Sequence, residues 1–209
     1  YISFCEDTKV FTLHTKTSMY QMQVGQFGTL LHLYYGADLG EAWVRRGIVN
    51  LDRGFSGNPY EADRDRTFSL DVLPQEYTAE GNGDYRIQGI EAEHEDGSNI
   101  LQLKYDSHQI RKGKYALAGM PAMFAGEDCA ETLEIVLKDG HSGVCVKLLY
   151  GVIWDCDIIT RAVEVINGGT GTVTLRRVMS AELDFSRRPM DMIHFYGRHS
   201  MERLTERQP

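Results

Sequence analysis

Along this chain of 209 residues apolar and polar positions mostly alternate, the period of two that sends successive side chains to opposite faces of a strand. The clearest run is 132–138, with Leu133, Ile135 and Leu137 on one face and Thr132, Glu134, Val136 and Lys138 on the other. Strands are also predicted over 10–13, 19–24 and 29–35 as an antiparallel meander, and over 87–95, 100–105 and 108–111. The turn chemistry of Glu95, Asp96, Gly97 and Ser98 joins 87–95 to 100–105 as a hairpin. The pattern resumes over 144–154, 158–166 and 172–183, separated by Asp139-Gly140, Asp155-Cys156-Asp157 and Asn167-Gly168-Gly169. Only 41–46 and the last dozen residues have even weak helical character, and the 21 glycines suit tight turns better than helices. The expected fold is all-β, a large antiparallel β-sandwich in one domain over 1–209, with neither an internal repeat nor a linker to divide it.

One stretch breaks the alternation. Residues 55–85, FSGNPYEADRDRTFSLDVLPQEYTAEGNGDY, concentrate turn formers, aromatics and charges in a long irregular loop. Compact domains seldom carry so long a loop unless it binds or caps something. Asp63-Arg64-Asp65-Arg66 alternates charge, and Phe55, Tyr60, Phe68 and Tyr77 lie close by in sequence. A run of charges is most often a solvated face, but aromatics beside carboxylates and guanidinium groups also suit sugar recognition. Rings cover the C–H side of a pyranose while charged groups hydrogen-bond its hydroxyls.

Composition narrows the partners. With 30 acidic against 22 basic residues the formal net charge is −8, which disfavours nucleic acid and anionic lipid surfaces and suits a neutral ligand. No apolar run reaches the roughly 18–20 residues of a membrane span, and no signal-peptide pattern opens the chain, so a cytoplasmic protein is expected. Cys5, Cys129, Cys145 and Cys156 are scattered without zinc-like spacing and read as free buried thiols. The seven histidines occur singly, no nucleophile elbow or phosphate-binding loop is present, and neither a metal nor an organic cofactor is implied. Trp154-Asp155-Cys156-Asp157 has the look of a nucleophile position, yet its place between two strong strands marks it as a tight turn.

The loop, with YISFCEDTKVFTLHTKTSMYQMQV and LLHLYYG before it and EDGSNILQLKYDSHQIRKGK, LAGMPA, DCDIITRAVEVINGG, LDF and ERQP after it, resembles the N-terminal β-supersandwich of glycoside hydrolase family 36 α-galactosidases. The resemblance extends along nearly the whole chain. It implies the N-terminal domain of a longer retaining enzyme that removes terminal α-1,6-linked galactose from melibiose- or raffinose-like sugars, with a catalytic (β/α)8 barrel after Pro209. Both catalytic aspartates of that family belong to the barrel, so no catalytic residue is expected in this chain. Partners implied are a galactose-containing oligosaccharide, the chain's own barrel and further copies of itself in a homotetramer. The family's galactose-binding aspartate, immediately before R-T-F-S-L-D, matches Asp65 with Arg66 beside it, and Phe55, Tyr60 and Asp63 are secondary candidates. The doubled Asp-Arg pair leaves open whether Asp63 or Asp65 faces the sugar. Two other classes of function remain: a stand-alone carbohydrate-binding or structural sandwich, and an epimerase-like site on its concave face.

Overall fold

Runs of aromatic, β-branched and alternating apolar residues become antiparallel strands throughout. In the computed structural model, which describes residues 1–45, 47–52, 54–55, 57–185 and 189–209, β1 (Ile2–Cys5), β2 (Val10–His14), β3 (Ser18–Val24) and β4 (Leu30–Ala37) form a meander paired in chain order. After β5 (Ile90–His94), the strands β6 (Leu103–Lys112), β7 (Ala130–Asp139), β8 (Val144–Ile153) and β9 (Ile158–Asn167) form a second four-stranded meander. Two ribbons complete the fold: β10 (Val173–Val178) pairs with β5, and β11 (Met192–Phe195) with β12 (Thr205–Gln208).

The two meanders pack face to face as an all-β sandwich. Phe11, Leu13, Tyr20 and Met22 from one sheet and Leu133, Ile135, Leu137, Val146, Leu148 and Tyr150 from the other belong to a single buried core. Phe11 bridges the layers, with ring centroids 4.4 Å from Phe4 and 4.9 Å from His108. Each large side chain so buried contributes on the order of 1.5–3 kcal/mol. The outer face of β2 and β3 is covered as well, because the Gln21 amide donates to Thr12 Oγ1 and to the Ala42 carbonyl while its oxygen accepts from Val44 N. Those bonds explain how polar Thr12 and Gln21 are buried.

Several expectations need correction. Residues 87–95 shorten to β5, since Gly89 N donates to Thr78 Oγ1 and Ile90 N to the Thr78 carbonyl, which commits the preceding residues to the loop. The turn after β5 forms, with Gly97 N on the His94 carbonyl, but no hairpin follows it, because β5 gains a partner in β10 that comes from far along the chain. Residues 100–105 and 108–111 are one strand, β6, whose register shifts between Tyr105 and Ser107 in a bulge that looked like a break in sequence. The run 172–183 shortens to β10, beyond which Met179 N reaches the Gly89 carbonyl and Glu182 binds Thr78. Residues 41–45 are not helical, held instead by Gln21, and Arg46 lies outside the described residues. The chain end carries β12 rather than a helix, and β1 was not foreseen. The four thiols are free, but Cys5 and Cys156 are exposed and the other two only half-buried. Trp154–Cys156 is a 3-10 turn, and Asp157 after it accepts Thr15 Oγ1 and Thr17 N at 2.6 Å each, tying the sheets together.

The sandwich also encloses a charge. Glu76 is fully buried; its Oε1 accepts from Tyr20 Oη at 2.8 Å, Tyr150 Oη at 2.7 Å and Arg161 Nη1 at 2.7 Å, and its Oε2 lies 3.3 Å from His32 Nδ1. Those partners stand on β3, β8, β9 and β4 in turn, so one side chain joins both sheets. Arg161 lies 4.2 Å over the Tyr150 ring, while its Nε and Nη2 are buried without a hydrogen-bond partner among the described residues. Burial alone would push the Glu76 carboxyl up; the Arg161 charge and the bonds from His32 and Tyr150 outweigh it and hold Glu76 below the ordinary glutamate value. Burial raises Tyr150 and Tyr20 despite Arg161, so both remain neutral donors.

A pH dependence follows. Because the folded value of Glu76 is depressed, its contribution is present above the unfolded glutamate pKa of about 4.3 and is lost as pH falls through the folded value. Arg161→Met strands the carboxylate, which should cost about 3–5 kcal/mol at pH 7. With burial then dominant, the folded pKa rises above the unfolded one and protonation relieves the cost. Thermal unfolding at pH 7 and at about pH 4.5 should therefore show the variant's deficit shrinking toward acid.

Candidate functional site

Between β4 and β5 the described residues form no strand, and the two halves of the stretch behave differently. The second half is core: Phe68, Leu70 and Leu73 are buried with Ala62 and Leu31, and Phe27 meets the Phe68 ring edge-on at 4.9 Å. Its backbone lies along β4, with His32 N on the Pro74 carbonyl at 2.7 Å and Glu76 N on the Leu30 carbonyl at 2.9 Å. Arg86 clamps the turn from beneath, donating to buried Asp84 and to the Leu70 and Leu73 carbonyls, and Gln75 donates to the same aspartate. The hydrogen bonds to Asp84, and then its charge, raise the Arg86 pKa against the opposing effect of burial. Tyr77 Oη bonds the Gly89 and Met179 carbonyls, which joins the loop to the chain beyond β10.

The first half, described over 38–45, 47–52, 54–55 and 57–66, is a largely exposed arm, with Ala62 its buried residue. Trp43, Val49, Leu51, Phe55 and Tyr60 all expose large apolar side chains, Phe55 and Tyr60 almost completely, at 104% and 95%. Arg45 lies 5.0 Å over the Trp43 ring, and Arg66 pairs with Asp52 at 3.1 Å. The arm is fastened to the body at a few points. Asn58 Nδ2 donates to the Phe68 carbonyl at 2.6 Å, and Glu61 pairs with Lys104 of β6. Gly57 and Gly83 meet backbone to backbone; a Cβ on Gly83, whose φ is +77°, would stand 3.2 Å from the Gly57 Cα. That approach explains why GNPY and GNGDY both carry glycine.

A 3-10 turn over Tyr60–Ala62 leads to Asp63 at positive φ, 48°, and Asp65 N bonds the Ala62 carbonyl at 2.8 Å. Asp65 Oδ1 accepts Thr67 N at 2.9 Å and Thr67 Oγ1 at 2.5 Å, while Oδ2 has no hydrogen bond among the described residues. The Thr67 hydroxyl and N–H hold the Asp65 carboxyl below the usual aspartate range, so it is an ionised acceptor at neutral pH. Asp63, Asp65 and Arg66 thus share one exposed turn, with Phe55 and Tyr60 on the same arm. A small cavity of about 30 Å³ lies beside Tyr60, lined by residues that include Pro59, Glu61, Gln75 and Lys104, and neither Asp63, Asp65, Arg66 nor Phe55 lines it. A cavity of about 400 Å³ lies apart, lined by residues of 114–126 including Lys114, Tyr115, Met123 and Phe124, and no carboxylate lines it. Among the described residues no cluster of three His, Cys, Asp or Glu is placed to hold a metal, and no helix is long and apolar enough to cross a membrane.

Sequence reasoning passed over Glu76 and Arg161. A signal for Arg161 was present: it alternates with Ile159, Val163 and Val165, so a cation stands on the apolar face of a strand. Glu76 carried no such mark, because it lies in irregular chain where periodicity is silent.

Comparison with known proteins places this architecture. The model of the glycosyl hydrolase family 36 N-terminal domain matches residues 28–209. The bifunctional alpha-galactosidase/sucrose kinase AgaSK of Mediterraneibacter gnavus is 49% identical over 208 residues, which is 100% of this chain and 22% of that protein. The solved galactosidase domain of AgaSK superposes with a TM-score of 0.95 at 48% identity, covering 100% of this chain and 29% of that one. A doubly substituted AgaA, a family 36 alpha-galactosidase of Geobacillus stearothermophilus solved in complex with raffinose, superposes at 0.90 with 40% identity, covering 96% and 28%. The chain spans about a quarter of the length of the curated relatives it matches.

The arm's attachment is open to test. Asn58→Ala leaves the Phe68 carbonyl without its donor, and a loss of about 1–2 kcal/mol is expected. Limited proteolysis should then cut within 38–66 well before the sheets are cleaved, whereas an unchanged cleavage pattern would show that Asn58 does not hold the arm.

Proposed function

The chain belongs to the glycosyl hydrolase family 36 N-terminal domain family, and from that premise we propose that it is the N-terminal domain of a retaining α-galactosidase acting on terminal α-1,6-linked galactose. The observation that carries this reading is the likeness to α-galactosidases along the whole chain, 49% identity to one over 208 residues. The raffinose complex of a relative supports a galactose-containing oligosaccharide as substrate. In the complete enzyme a carboxylate of the barrel following Pro209 attacks the anomeric carbon, a second protonates the leaving oxygen, and water releases galactose with retention. This chain contributes no catalytic carboxylate.

Its contribution is the arm. Asp65, ionised and oriented by Thr67, accepts hydrogen bonds from sugar hydroxyls through its second oxygen, with Arg66 beside it. Phe55 and Tyr60, left fully to solvent in the single chain, supply apolar faces for a sugar ring or a neighbouring subunit. An arm of this kind fits insertion at a subunit boundary of a homotetramer, and the enzyme is cytoplasmic on this reading.

Loss of a charge-assisted hydrogen bond costs about 1.5–3 kcal/mol, and about 1.4 kcal/mol is a factor of ten in rate. Asp65→Ala in the full-length enzyme should lower kcat/KM for an α-galactoside at least tenfold, while Asp63→Ala changes it little. Small and equal effects from both substitutions would remove the assignment.

A further inference from the structure

We propose that Glu76 and Arg161 are positioning residues for the sugar pocket: their buried ion pair fixes where the arm 38–66 stands relative to both sheets. The inference rests on the reading of that arm as a wall of the pocket. Glu76 lies at the C-terminal foot of the arm, nine residues beyond Thr67, which orients Asp65. Its N–H is bonded to Leu30 of β4, and its carboxylate is bonded to Tyr20 of β3, Tyr150 of β8 and Arg161 of β9. Between Thr67 and Glu76 the chain is packed rather than free, with Phe68, Leu70 and Leu73 against Leu31 and with Arg86 on two of its carbonyls. A displacement at Glu76 therefore has a rigid path to Asp65.

Stability alone does not call for a charge at this place. Buried ion pairs are often matched or exceeded by apolar residues of similar volume, and here the Arg161 Nε and Nη2 have no hydrogen-bond partner among the described residues, an arrangement poor for stability. What a carboxylate provides is uniqueness of position. It accepts from two tyrosines and a guanidinium on different strands at once, which a hydrophobic side chain free to slide along the same surface cannot do. Arg161 is in turn oriented by the Tyr150 ring beneath it.

The test uses the full-length enzyme. Glu76→Gln alone strands the Arg161 charge, so it is paired with Glu76→Gln/Arg161→Met, which removes both charges, and all proteins are compared at a temperature where each is folded. In the double variant, hydrogen–deuterium exchange across 38–66 should quicken at least tenfold with β7 and β8 unchanged. KM for an α-galactoside should rise at least fivefold, with kcat within twofold of wild type. Wild-type exchange across the arm would overturn the proposal whatever the kinetics, and so would faster exchange with unchanged KM. Should Asp65→Ala prove silent while the double variant raises KM, the role given to Asp65 fails and the positioning role stands.

Discussion

A carboxylate taken wholly out of water has few tolerable surroundings, and Glu76 has found one by drawing two sheets and a loop to a single point. Desolvating such a group costs several kcal/mol, and the guanidinium of Arg161, two tyrosine hydroxyls and the nearby His32 ring together offset it. The hydrophobic core makes the sandwich stable through contacts that are individually non-directional. The bonds to Glu76 are directional and finite in number. They set the register between the first meander, the second meander and the loop laid along β4.

From that point outward the structure loosens by stages. Residues 68–80 are largely packed, and Tyr77, Thr78 and Arg86 tie this part of the loop to the chain beyond β10. Residues 38–66 are held by a few contacts and leave aromatic rings in solvent, which a finished surface seldom does. A pocket wall that must meet a sugar, and on our reading another part of the enzyme, suits such an arm on a rigid foot. On that reading the proposed recognition residues stand on the arm, and those proposed to hold it in place stand on the foot and in the sheets.

Much of this was legible in the sequence. The alternation of Leu133, Ile135 and Leu137 marked β7, because burial of one face enforces it, and apolar, aromatic and β-branched runs between turn residues marked β2, β3, β8 and β9. Errors came where distant chain decided the outcome. The turn at Gly97 has the chemistry of a hairpin and β5 still pairs with β10, and the charged last residues form β12 only because β11 lies alongside. The loop was visible as an anomaly of composition, but its division into a buried foot and an exposed arm was not, since Phe68, Leu70 and Leu73 follow no strand or helix period. Asp65 and Asp63 look alike as letters; the structure distinguishes them by Thr67, which orients one and not the other.

The central claim is that the arm on this sandwich forms part of a galactose pocket completed elsewhere in the enzyme. A crystal structure of the full-length protein soaked with raffinose tests it most directly. The account predicts the Asp65 carboxylate within about 2.6–3.0 Å of a galactose hydroxyl, in its own or a neighbouring subunit's active site. A galactose bound with Asp65 facing bulk solvent, beyond reach of any hydroxyl, would contradict it.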